Sequence, residues 1–421
     1  MRAVIFEDDT ALNFAPLTLT RPAFELTLGT KSLLQNLVET LGLSDYTLKV
    51  RPYLEGITKQ RCRREINPSR TEENMLLFIN GLLNPTQQVA ALLKQDEAFA
   101  AFAGDHLAAA RLNHKDADKL LQSKTIGENL KTLSSLKRID LPESLLIRYP
   151  WQLIERNPDA IKHQAESFPN GDDSPSLDGC FVLGQRKNLL FEGNAKVEPS
   201  VTFDVRGGPI IIGEDAEIRS FTRVEGPVYI GRRAQIRSAR VSGGTSIGDQ
   251  CRVGGEVEAT IIDHCSNKAH DGFIGHSYIG EWVNIGAGTS NSDLKNTYGT
   301  IKMSLGSARV DTGSIKVGCF VGDYAKTSIG CFIYTGRRIG VSSQIHGYIT
   351  EDVPSFTIYA KNISGKNFEL KLDSASETQR RMMMRRGVEQ TEQDKSLLSA
   401  IFVATQRERY LSGVLKSDFT L

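Results

Sequence analysis

Three histidines in the middle of the chain recur at intervals of six residues: His264, His270 and His276. Histidine changes its charge near neutral pH, so it suits a general base, and it is also a common protein ligand of zinc. A period of six is neither the 3.6 of an α-helix nor the 2 of a plain strand. The architecture that produces this period therefore decides whether the three imidazoles can meet.

Aliphatic residues follow the same period. They occupy strict six-residue steps at Ile212, Ile218, Val224, Ile230 and Ile236. After slips and one insertion the series continues through Val241, Ile247, Val253, Phe273, Ile279, Ile285, Ile315, Val321, Thr327, Ile333 and Ile339. Of the 37 glycines, 25 lie between residues 193 and 347, where glycine permits tight turns. This pattern predicts a hexapeptide β-helix with three faces per coil.

In such a coil, successive hexads lie on different faces. The three imidazoles should therefore diverge, which disfavours a shared zinc ion. For His264 and His276 the preferred interpretation is a structural side chain capped by a neighbour. A base tuned near pH 7 remains the chemistry that a single exposed imidazole would supply.

The flanking regions have a different pattern. Short apolar runs at residues 3–6 and 76–79 alternate with helix-like stretches at 31–41, 85–93 and 129–136, which favours an α/β domain. Residues 167–179, rich in Pro, Gly, Asp and Ser, predict a linker. We therefore expect an α/β domain at 1–166, a linker at 167–192, a β-helix at 193–353 and a helical tail at 354–421.

Two helices are predicted in the tail, at residues 377–386 and 394–409. The first carries a cluster of four arginines, Arg380, Arg381, Arg385 and Arg386. A solvated helix face is the preferred interpretation of this cluster, with a phosphate site as the alternative.

Length and composition set the broad class. A chain of 421 residues suggests two or three domains. Its 51 Lys and Arg nearly cancel its 50 Asp and Glu, and this net charge of +1 argues against a dedicated binder of nucleic acid or anionic membrane. The sequence shows no apolar run near the ~20 residues of a membrane span, and its first residues do not lead us to expect a signal peptide. The six cysteines form no Cys-x-x-Cys pair, so we expect reduced thiols and a cytoplasmic protein.

One segment of the repeat is specific enough to suggest a family. The lysine-alanine-histidine turn ending at His270 leads, fourteen residues later, to Asn284 in the string Val-Asn-Ile-Gly-Ala-Gly-Thr. This segment resembles the acetyltransferase domain of the bifunctional enzymes that make UDP-N-acetylglucosamine. The longer stretch from residue 254 to Lys295 is similar to the variant branch known from Bacteroidetes-type bacteria. The resemblance implies a left-handed, trimeric β-helix that transfers acetyl from acetyl-CoA to glucosamine 1-phosphate, with sites between neighbouring subunits.

The resemblance assigns His270 as the catalytic base. It makes Asn284 a residue that holds the sugar or orients His270, although a rung of an asparagine ladder is the alternative. Lys268 is a candidate for the sugar phosphate, or else an ordinary surface lysine. The insertion at residues 289–314 carries two further substrate candidates, Asp293 and Lys295, and could close over a site.

Coenzyme A candidates follow in the same region. The backbone around Ala287 is accessible because glycines flank it. Lys326, Arg337 and Arg338 are cations that could meet the phosphates of coenzyme A, with a solvated surface as the alternative. The thioester oxygen would need oriented donors such as backbone N–H groups.

The N-terminal domain resembles the same branch less strongly. The segment from Leu17 to Gly29, which contains Thr20-Arg21-Pro22, looks like a worn sugar-nucleotidyltransferase loop, with Ala23 where the family has lysine. Asn80 stands where the family places an aspartate that holds magnesium. The resemblance implies nucleotidyl transfer from UTP to the sugar 1-phosphate. Arg21 would bind phosphate, unless it forms a buried ion pair, and Glu25 and Asp8 could replace the missing Mg²⁺ ligand as hard oxygen donors.

Three hypotheses result. The first is a bifunctional transferase that uses a sugar 1-phosphate, a nucleoside triphosphate and acetyl-CoA. The second keeps only the acetyltransferase, with the N-terminal domain as a relic or regulator. The third is a non-catalytic trimeric scaffold built from the β-helix.

Overall fold

The computed structural model describes residues 2–168, 175–306 and 308–419. The chain forms two compact units. One comprises Met1–Leu26, Lys31–Tyr149 and Thr391–Ala400, and the other comprises Thr27–Thr30, Pro150–Gln390 and Ile401–Leu421. Residues 169–174 of the expected linker at 167–192 lie outside the described part of the chain. Its later part forms strands of the second unit.

The first unit is built on a six-stranded mixed sheet. In spatial order its strands are Tyr46–Lys49, Ala3–Phe6, Met75–Asn80, His106–Asn113, Phe99–Ala103 and Lys137–Leu141. The central pair Ala3–Phe6 and Met75–Asn80 is parallel, as expected for buried strands that read as continuous apolar runs. Val4, Phe6 and Phe78 are at most 1% exposed and belong to the core of this unit.

Helices cover this sheet. The α-helices are Leu33–Leu41, Glu55–Arg61, Gln87–Leu93 and His114–Gln122, and shorter 3₁₀ segments are Asp9–Phe14, Ala23–Glu25, Pro52–Leu54, Ile126–Leu133 and Glu143–Leu145; Lys31–Ser32 is extended. Helix Leu33–Leu41 begins with a capping box in which Ser32 and Gln35 bond each other's backbone N–H groups. The helix expected at 129–136 is instead the 3₁₀ segment Ile126–Leu133.

The second unit is a parallel β-helix. Strand Ile210–Ile212 is followed by Glu217–Ile218 and Arg223–Glu225, and Val228–Ile230 then pairs in parallel with Ile210–Ile212, so a coil takes eighteen residues. Residues at the coil corners adopt positive φ, for example Asp215 at 57° and Gln250 at 58°. The predicted fold class, an α/β domain, a β-helix of six-residue repeats and C-terminal helices, is confirmed.

The strands stack into parallel sheets. The first contains Leu189–Phe191, Ile210–Ile212, Val228–Ile230, Thr245–Ile247, Ile261–Ile262, Tyr278–Ile279, Cys319–Val321 and Arg337–Ile339. The second contains Phe181–Leu183, Lys196–Val197, Thr202–Asp204, Glu217–Ile218, Arg223–Glu225, Gln235–Val241, Arg252–Glu258, Asn267–Lys268 and Phe273–Gly275. The later coils add Ser290–Asn291, Phe332–Ile333 and Tyr348–Ile349, and the set Lys326–Thr327, Gln344–Ile345 and Thr357–Tyr359, with which Asn367–Glu369 pairs antiparallel.

The aliphatic series fills the interior of the β-helix. The five residues from Ile212 to Ile236 at six-residue steps are all 0% exposed. Two members of the predicted series are wrong. Phe273 is partly exposed, and Ile274 takes the inward position instead. Ile315 is 50% exposed, so the repeat resumes after the insertion only at Cys319–Val321.

The remaining elements lie outside the repeat, and residues 392–400 of helix Glu392–Ala404 group with the first unit. The insertion contains an antiparallel hairpin of Lys302–Leu305 and Ala308–Asp311. Helices are Pro150–Glu166, Lys361–Ser364, Leu372–Met384, Glu392–Ala404 and Gln406–Leu411, with a 3₁₀ turn at Arg186–Asn188 and a short strand at Thr27–Leu28. Within the described ranges, none of the helices is both long and apolar enough to cross a bilayer. The six cysteines are free thiols.

Candidate functional site

His270 opens into a cavity of about 660 Å³ on the β-helix. Neighbouring coils line this cavity with the segment Ala269, His270 and Asp271, with Ala287 and Gly288, and with Ile329 and Gly330. The imidazole is exposed, and it lies in the turn between strands Asn267–Lys268 and Phe273–Gly275. The sequence-predicted base is therefore accessible to a substrate.

Lys268 holds the turn that carries His270. It is 2% exposed, and its Nζ donates hydrogen bonds to the carbonyls of His270 at 2.6 Å and Gly254 at 2.8 Å. Burial lowers the pKa of this ammonium from 10.5 to about 8. The sequence analysis made Lys268 a candidate for the sugar phosphate. In the structure its Nζ instead donates to backbone carbonyls, and Lys268 does not line the cavity.

Backbone contacts complete the turn. Gly288 N–H donates to the Asp271 carbonyl at 2.9 Å, which ties the His270 turn to the next coil. Gly272 has a φ of +123°, and a Cβ there would lie 2.1 Å from the Thr289 oxygen. Glycine is therefore required at this position, since any side chain would push the two coils apart.

Ala287 lines the same cavity, and its backbone N–H is the candidate donor there. Its neighbours are engaged, since Gly286 N–H donates to Thr327 Oγ1 at 2.8 Å and Gly288 N–H bonds Asp271. Among the described residues, no acceptor takes the N–H of Ala287. A cavity with an imidazole and an unused N–H has the two groups that acyl transfer to an amine needs.

Asn284 lies one coil from Asn267 in a column of polar side chains. Asn267 Nδ2 approaches Asn284 Oδ1 at 3.5 Å, and Lys326 is the bridge partner of Asn284 on the other side. Asn284 is exposed and contacts Asn267, which fits a rung of an asparagine ladder, and its role toward a sugar or His270 stays a prediction.

Three arginines gather on the same side of the β-helix. Arg252 is the register partner of Asn267, and Arg386, from the end of helix Leu372–Met384, donates to Asn267 Oδ1 at 2.9 Å. Arg237 follows on the preceding coil. Within the described ranges, none of these three guanidinium groups pairs with a carboxylate, and the buried Nε of Arg237 and Arg252 lack acceptors. Burial, helped by the neighbouring arginines, lowers the pKa of Arg237 and of Arg386.

This cluster was missed in the sequence, where Arg237 and Arg252 stand fifteen residues apart. The arginines of the tail have different partners, which their spacing in the sequence does not show. Arg380 and Arg381 pair with Glu377 on their own helix, at 2.7 and 2.8 Å, as a solvated face would. Arg386 alone of these joins the β-helix cluster.

The remaining coenzyme A candidates lie further along the coils. Lys326 donates to the Tyr324 carbonyl at 2.8 Å, and burial lowers its pKa to about 8. Arg337 and Arg338 both approach Asp352, at 4.0 and 3.1 Å. These pairings partly neutralise the two arginines, and the structure does not bring them into the lining of the His270 cavity.

Two predicted substrate residues lie apart from His270. Asp293 Oδ2 contacts His276 Nδ1 at 2.7 Å, and neither residue lines the His270 cavity. Lys295 bonds the Thr300 carbonyl within the insertion. His264 Nδ1 accepts from Asp249 N–H at 2.9 Å, in keeping with a structural histidine.

In the first unit, Arg21 and its loop are held by a pair that the sequence analysis missed. Glu7 accepts from Arg51 Nε at 2.8 Å and from Ala23 N–H at 3.1 Å, and Arg51 also donates to the Arg21 carbonyl at 3.1 Å. Burial disfavours the charge on Arg51, but Glu7 outweighs it and raises the pKa of Arg51. Arg21 itself is 2% exposed, so little of it is open to a substrate phosphate.

Asp8 lies beside the position where a magnesium ligand was expected. Asn80 Nδ2 donates to Asp8 Oδ2 at 3.1 Å, and Thr10 N–H donates to Asp8 Oδ1 at 2.9 Å. His106 Nδ1 lies 3.8 Å from Asp8, whose hydrogen bonding raises the pKa of His106. Glu25 instead forms an ion pair with Arg61 at 3.1 Å.

The donors around Asp8 test whether magnesium fits. Among the described residues, no three His, Cys, Asp or Glu side chains converge as a metal site. Mg²⁺ is commonly held by one or two carboxylates together with substrate phosphates and water. Asp8 fits that arrangement as the single carboxylate, since the two groups that donate to it, Thr10 N–H and Asn80 Nδ2, are neutral and His106 lies further away, at 3.8 Å.

Comparison with known proteins shows which families the chain is similar to. Residues 3–172 match the family described as sugar nucleotidyl transferase. The chain is 36% identical over 163 residues to the bifunctional sugar-1-phosphate nucleotidylyltransferase/acetyltransferase of Sulfurisphaera tokodaii, which covers 38% of this chain and 40% of that protein. It is 32% identical over 175 residues to the bifunctional protein GlmU of Acidithiobacillus ferrooxidans, covering 40% of this chain and 34% of that protein. The matches thus span less than half the length of these relatives.

Two solved structures are also similar, both of UDP-N-acetylglucosamine acyltransferases. That of Francisella novicida has a TM-score of 0.30 at 14% identity and covers 54% of this chain and 92% of that chain. That of Arabidopsis has a TM-score of 0.26 at 14% identity and covers 56% and 98%. From residue 3 to residue 172 the chain matches the sugar nucleotidyl transferase family, and its sequence is similar to curated bifunctional nucleotidylyltransferase/acetyltransferases, which confirms the resemblance seen in its motifs.

Proposed function

We propose that this chain is a bifunctional transferase of sugar-nucleotide synthesis. The β-helix would transfer acetyl from acetyl-CoA to glucosamine 1-phosphate, and the N-terminal domain would transfer a uridylyl group from UTP to the sugar 1-phosphate. The observation that carries the first activity is the exposed His270 in a cavity of about 660 Å³ that Ala287 also lines.

The acetyl transfer uses His270 as the base. The sugar amine forms a C–N bond with the thioester carbonyl carbon while His270 takes the proton that the amine gives up. The carbonyl oxygen becomes anionic and accepts a hydrogen bond from the Ala287 N–H. When the C–S bond breaks, the carbonyl re-forms, and the proton passes from His270 to the departing thiolate, giving coenzyme A. The nucleophile is the substrate's own amine, so no serine or cysteine nucleophile is needed.

The arginine cluster is the favoured site for the sugar phosphate. Arg237, Arg252 and Arg386 carry three positive charges without a carboxylate partner among the described residues, and two of them have buried Nε groups without acceptors. A phosphate offers the several acceptor oxygens that guanidinium groups bind best. Asn284 lies beside this column and would contact the sugar.

Acetyl-CoA would lie along the coils that follow His270. Among the cationic candidates, Lys326 is favoured for the coenzyme A phosphates because it is the bridge partner of Asn284. Asp352 competes for Arg337 and Arg338, so their contribution to the phosphates of coenzyme A would be smaller.

The nucleotidyl transfer would use Asp8 and the loop that Glu7 and Arg51 hold. Asp8 would hold Mg²⁺, which when bound offsets the negative charge of the triphosphate. Arg51 fixes the carbonyls of Thr18 and Arg21, at 2.6 and 3.1 Å, and so sets the shape of the loop that would face the phosphates. The low exposure of Arg21 favours the alternative, an acetyltransferase with an inactive N-terminal domain, as the second candidate.

A homotrimer in the cytoplasm is part of the proposal. Exposed aromatic side chains support an oligomer: Phe332 and Tyr348 stack at 5.3 Å on the outside of neighbouring coils and are 43% and 54% exposed. Burying such a patch against another copy would remove it from water.

Two product assays on the full chain test the proposal. Mixing acetyl-CoA with glucosamine 1-phosphate should release coenzyme A, and mixing UTP with N-acetylglucosamine 1-phosphate and Mg²⁺ should release pyrophosphate. Coenzyme A release without pyrophosphate at any Mg²⁺ concentration would leave the acetyltransferase alone. Failure of both reactions, with no binding of acetyl-CoA by calorimetry, would favour the scaffold.

A further inference from the structure

A second cavity lies between helix Pro150–Glu166 and the coils of the β-helix, within the same compact unit. Its volume is about 300 Å³, which is in the range of small-molecule sites. Trp151, Ile154 and Pro158 form one wall, and His276, Lys316 and Val317 form the other. It shares no lining residue with the His270 cavity.

His276 is oriented in this cavity by a carboxylate. Its Nδ1 lies 2.7 Å from Asp293 Oδ2, and the two side chains are 19% and 12% exposed. Burial opposes the charge of Asp293, but the interaction with His276 outweighs it and lowers the pKa of Asp293. Because the ionised carboxylate accepts the Nδ1 proton, Nε2 is the ring nitrogen left to accept a hydrogen bond from a ligand.

The charged residues of the lining differ in their partners. Lys316 is neutralised by Glu258 at 3.2 Å. Glu155 lines the cavity too, and in the described part of the chain its carboxylate has no hydrogen bond or ion pair. Partial burial raises the pKa of Glu155 despite the neighbouring Arg156, while the residue as a whole remains exposed. The cavity therefore offers two acceptors, Glu155 and His276 Nε2, and an aromatic wall.

A ligand that fits must bring donors and a ring face. Glu155 favours an ammonium group, which forms charge-assisted hydrogen bonds with a carboxylate. His276 favours a hydroxyl donor. Trp151 favours the apolar face of a ring, and an aromatic side chain also attracts a cation. We infer that the cavity lined by Trp151, Glu155 and His276 is a second binding site, separate from His270, for an amino sugar or a similar hydroxylated ring amine.

Calorimetric titration of the full chain with glucosamine tests this inference. Glu155→Gln should weaken binding about tenfold or more, because a neutral amide replaces the ammonium's counter-charge. His276→Asn should weaken it about fivefold while keeping a residue that tolerates the φ of +47° at this corner. Glucose, which lacks the amine, should bind about tenfold more weakly than glucosamine.

The controls separate this site from the proposed acetyl-transfer site. His270→Ala should leave the Glu155-dependent binding unchanged, and circular dichroism should show that each variant is folded. The inference is overturned if glucosamine does not bind, if Glu155→Gln and His276→Asn bind it like the native chain, or if His270→Ala abolishes all binding. If the native chain released no coenzyme A from acetyl-CoA and glucosamine 1-phosphate but still bound glucosamine in a Glu155-dependent way, the proposed acetyl transfer would be rejected. The second binding site would then still be supported.

Discussion

At the scale of single residues, the site depends on contacts that the sequence does not show. The motif around His270 and Asn284 singled out His270, and the structure places this residue in the lining of a cavity. It did not predict that Lys268 would be buried beneath that turn, since a lysine beside a histidine usually reads as a surface charge. Likewise, the pairing of His276 with Asp293 joins residues seventeen positions apart on neighbouring coils.

Lys268 makes the stability of the protein depend on pH. Its pKa is about 8 in the folded chain and 10.5 as a free side chain. Below pH 8 both states hold the proton, and the folded state bears the cost of burying it. Between pH 8 and 10.5 the unfolded chain still binds a proton that the folded chain has lost, so stability rises with pH.

Lys268→Met removes this titration. Relative to the variant, the native chain should gain up to about 3 kcal/mol of unfolding free energy between pH 8 and 10.5. Urea unfolding across that range measures the difference. Lys187→Met, at an exposed position, serves as the control and should follow the native curve. A Lys268→Met curve parallel to the native one would show that the ammonium is not buried as described.

The arginine cluster gives a prediction about substrate binding. Arg237→Gln and Arg252→Gln should each raise KM for glucosamine 1-phosphate about tenfold or more, because each removes a charge from the phosphate site. KM for acetyl-CoA should stay within about twofold. Arg380→Gln is the matched control, since that guanidinium pairs with Glu377 on its own helix. Equal effects on both substrates would contradict a phosphate site here.

At the scale of elements, the six-residue period was sufficient to predict the β-helix and its interior. Aliphatic residues at fixed steps can all point inward only if the coils have constant length. The five aliphatic residues at six-residue steps from Ile212 to Ile236 are all buried. The period could not predict where the repeat resumes. Residues 285 and 315 are five hexads apart, yet Ile315 is 50% exposed, because an insertion can keep the phase of a repeat without keeping its path.

This difference can be measured as stability. Ile236→Ala should lower the free energy of unfolding of the β-helix by about 2–4 kcal/mol, since it opens a cavity at a fully buried position. Ile315→Ala should change it by less than about 0.5 kcal/mol. Denaturant unfolding followed by circular dichroism compares them. Equal losses in both variants would mean that the repeat resumes at Ile315 after all.

At the scale of the whole molecule, the chain carries two compact units, each with its own candidate site. Composition and motifs predicted two units of different kind. They did not predict that residues 391–400 of the tail group with the first unit, because a helical pattern does not say what a helix packs against. Nor did they show Glu7 and Arg51 as the pair that fixes the Arg21 loop.

Separate sites predict separable activities. Asp8→Asn should reduce pyrophosphate release about a hundredfold or more, because it removes the one carboxylate proposed to hold Mg²⁺. Coenzyme A release by the same variant should stay within about twofold of native. Product assays on one preparation measure both. Parallel loss of the two activities would contradict independent sites and indicate a folding defect.

The most direct measurement concerns His270. The rate of coenzyme A release from acetyl-CoA and glucosamine 1-phosphate should fall about 10²- to 10³-fold in His270→Ala, because the amine loses its proton acceptor. The circular dichroism spectrum and unfolding midpoint should remain native, since this exposed imidazole packs against no core. A folded His270→Ala protein that released coenzyme A at the native rate would show that the acetyl transfer does not use this histidine as its base.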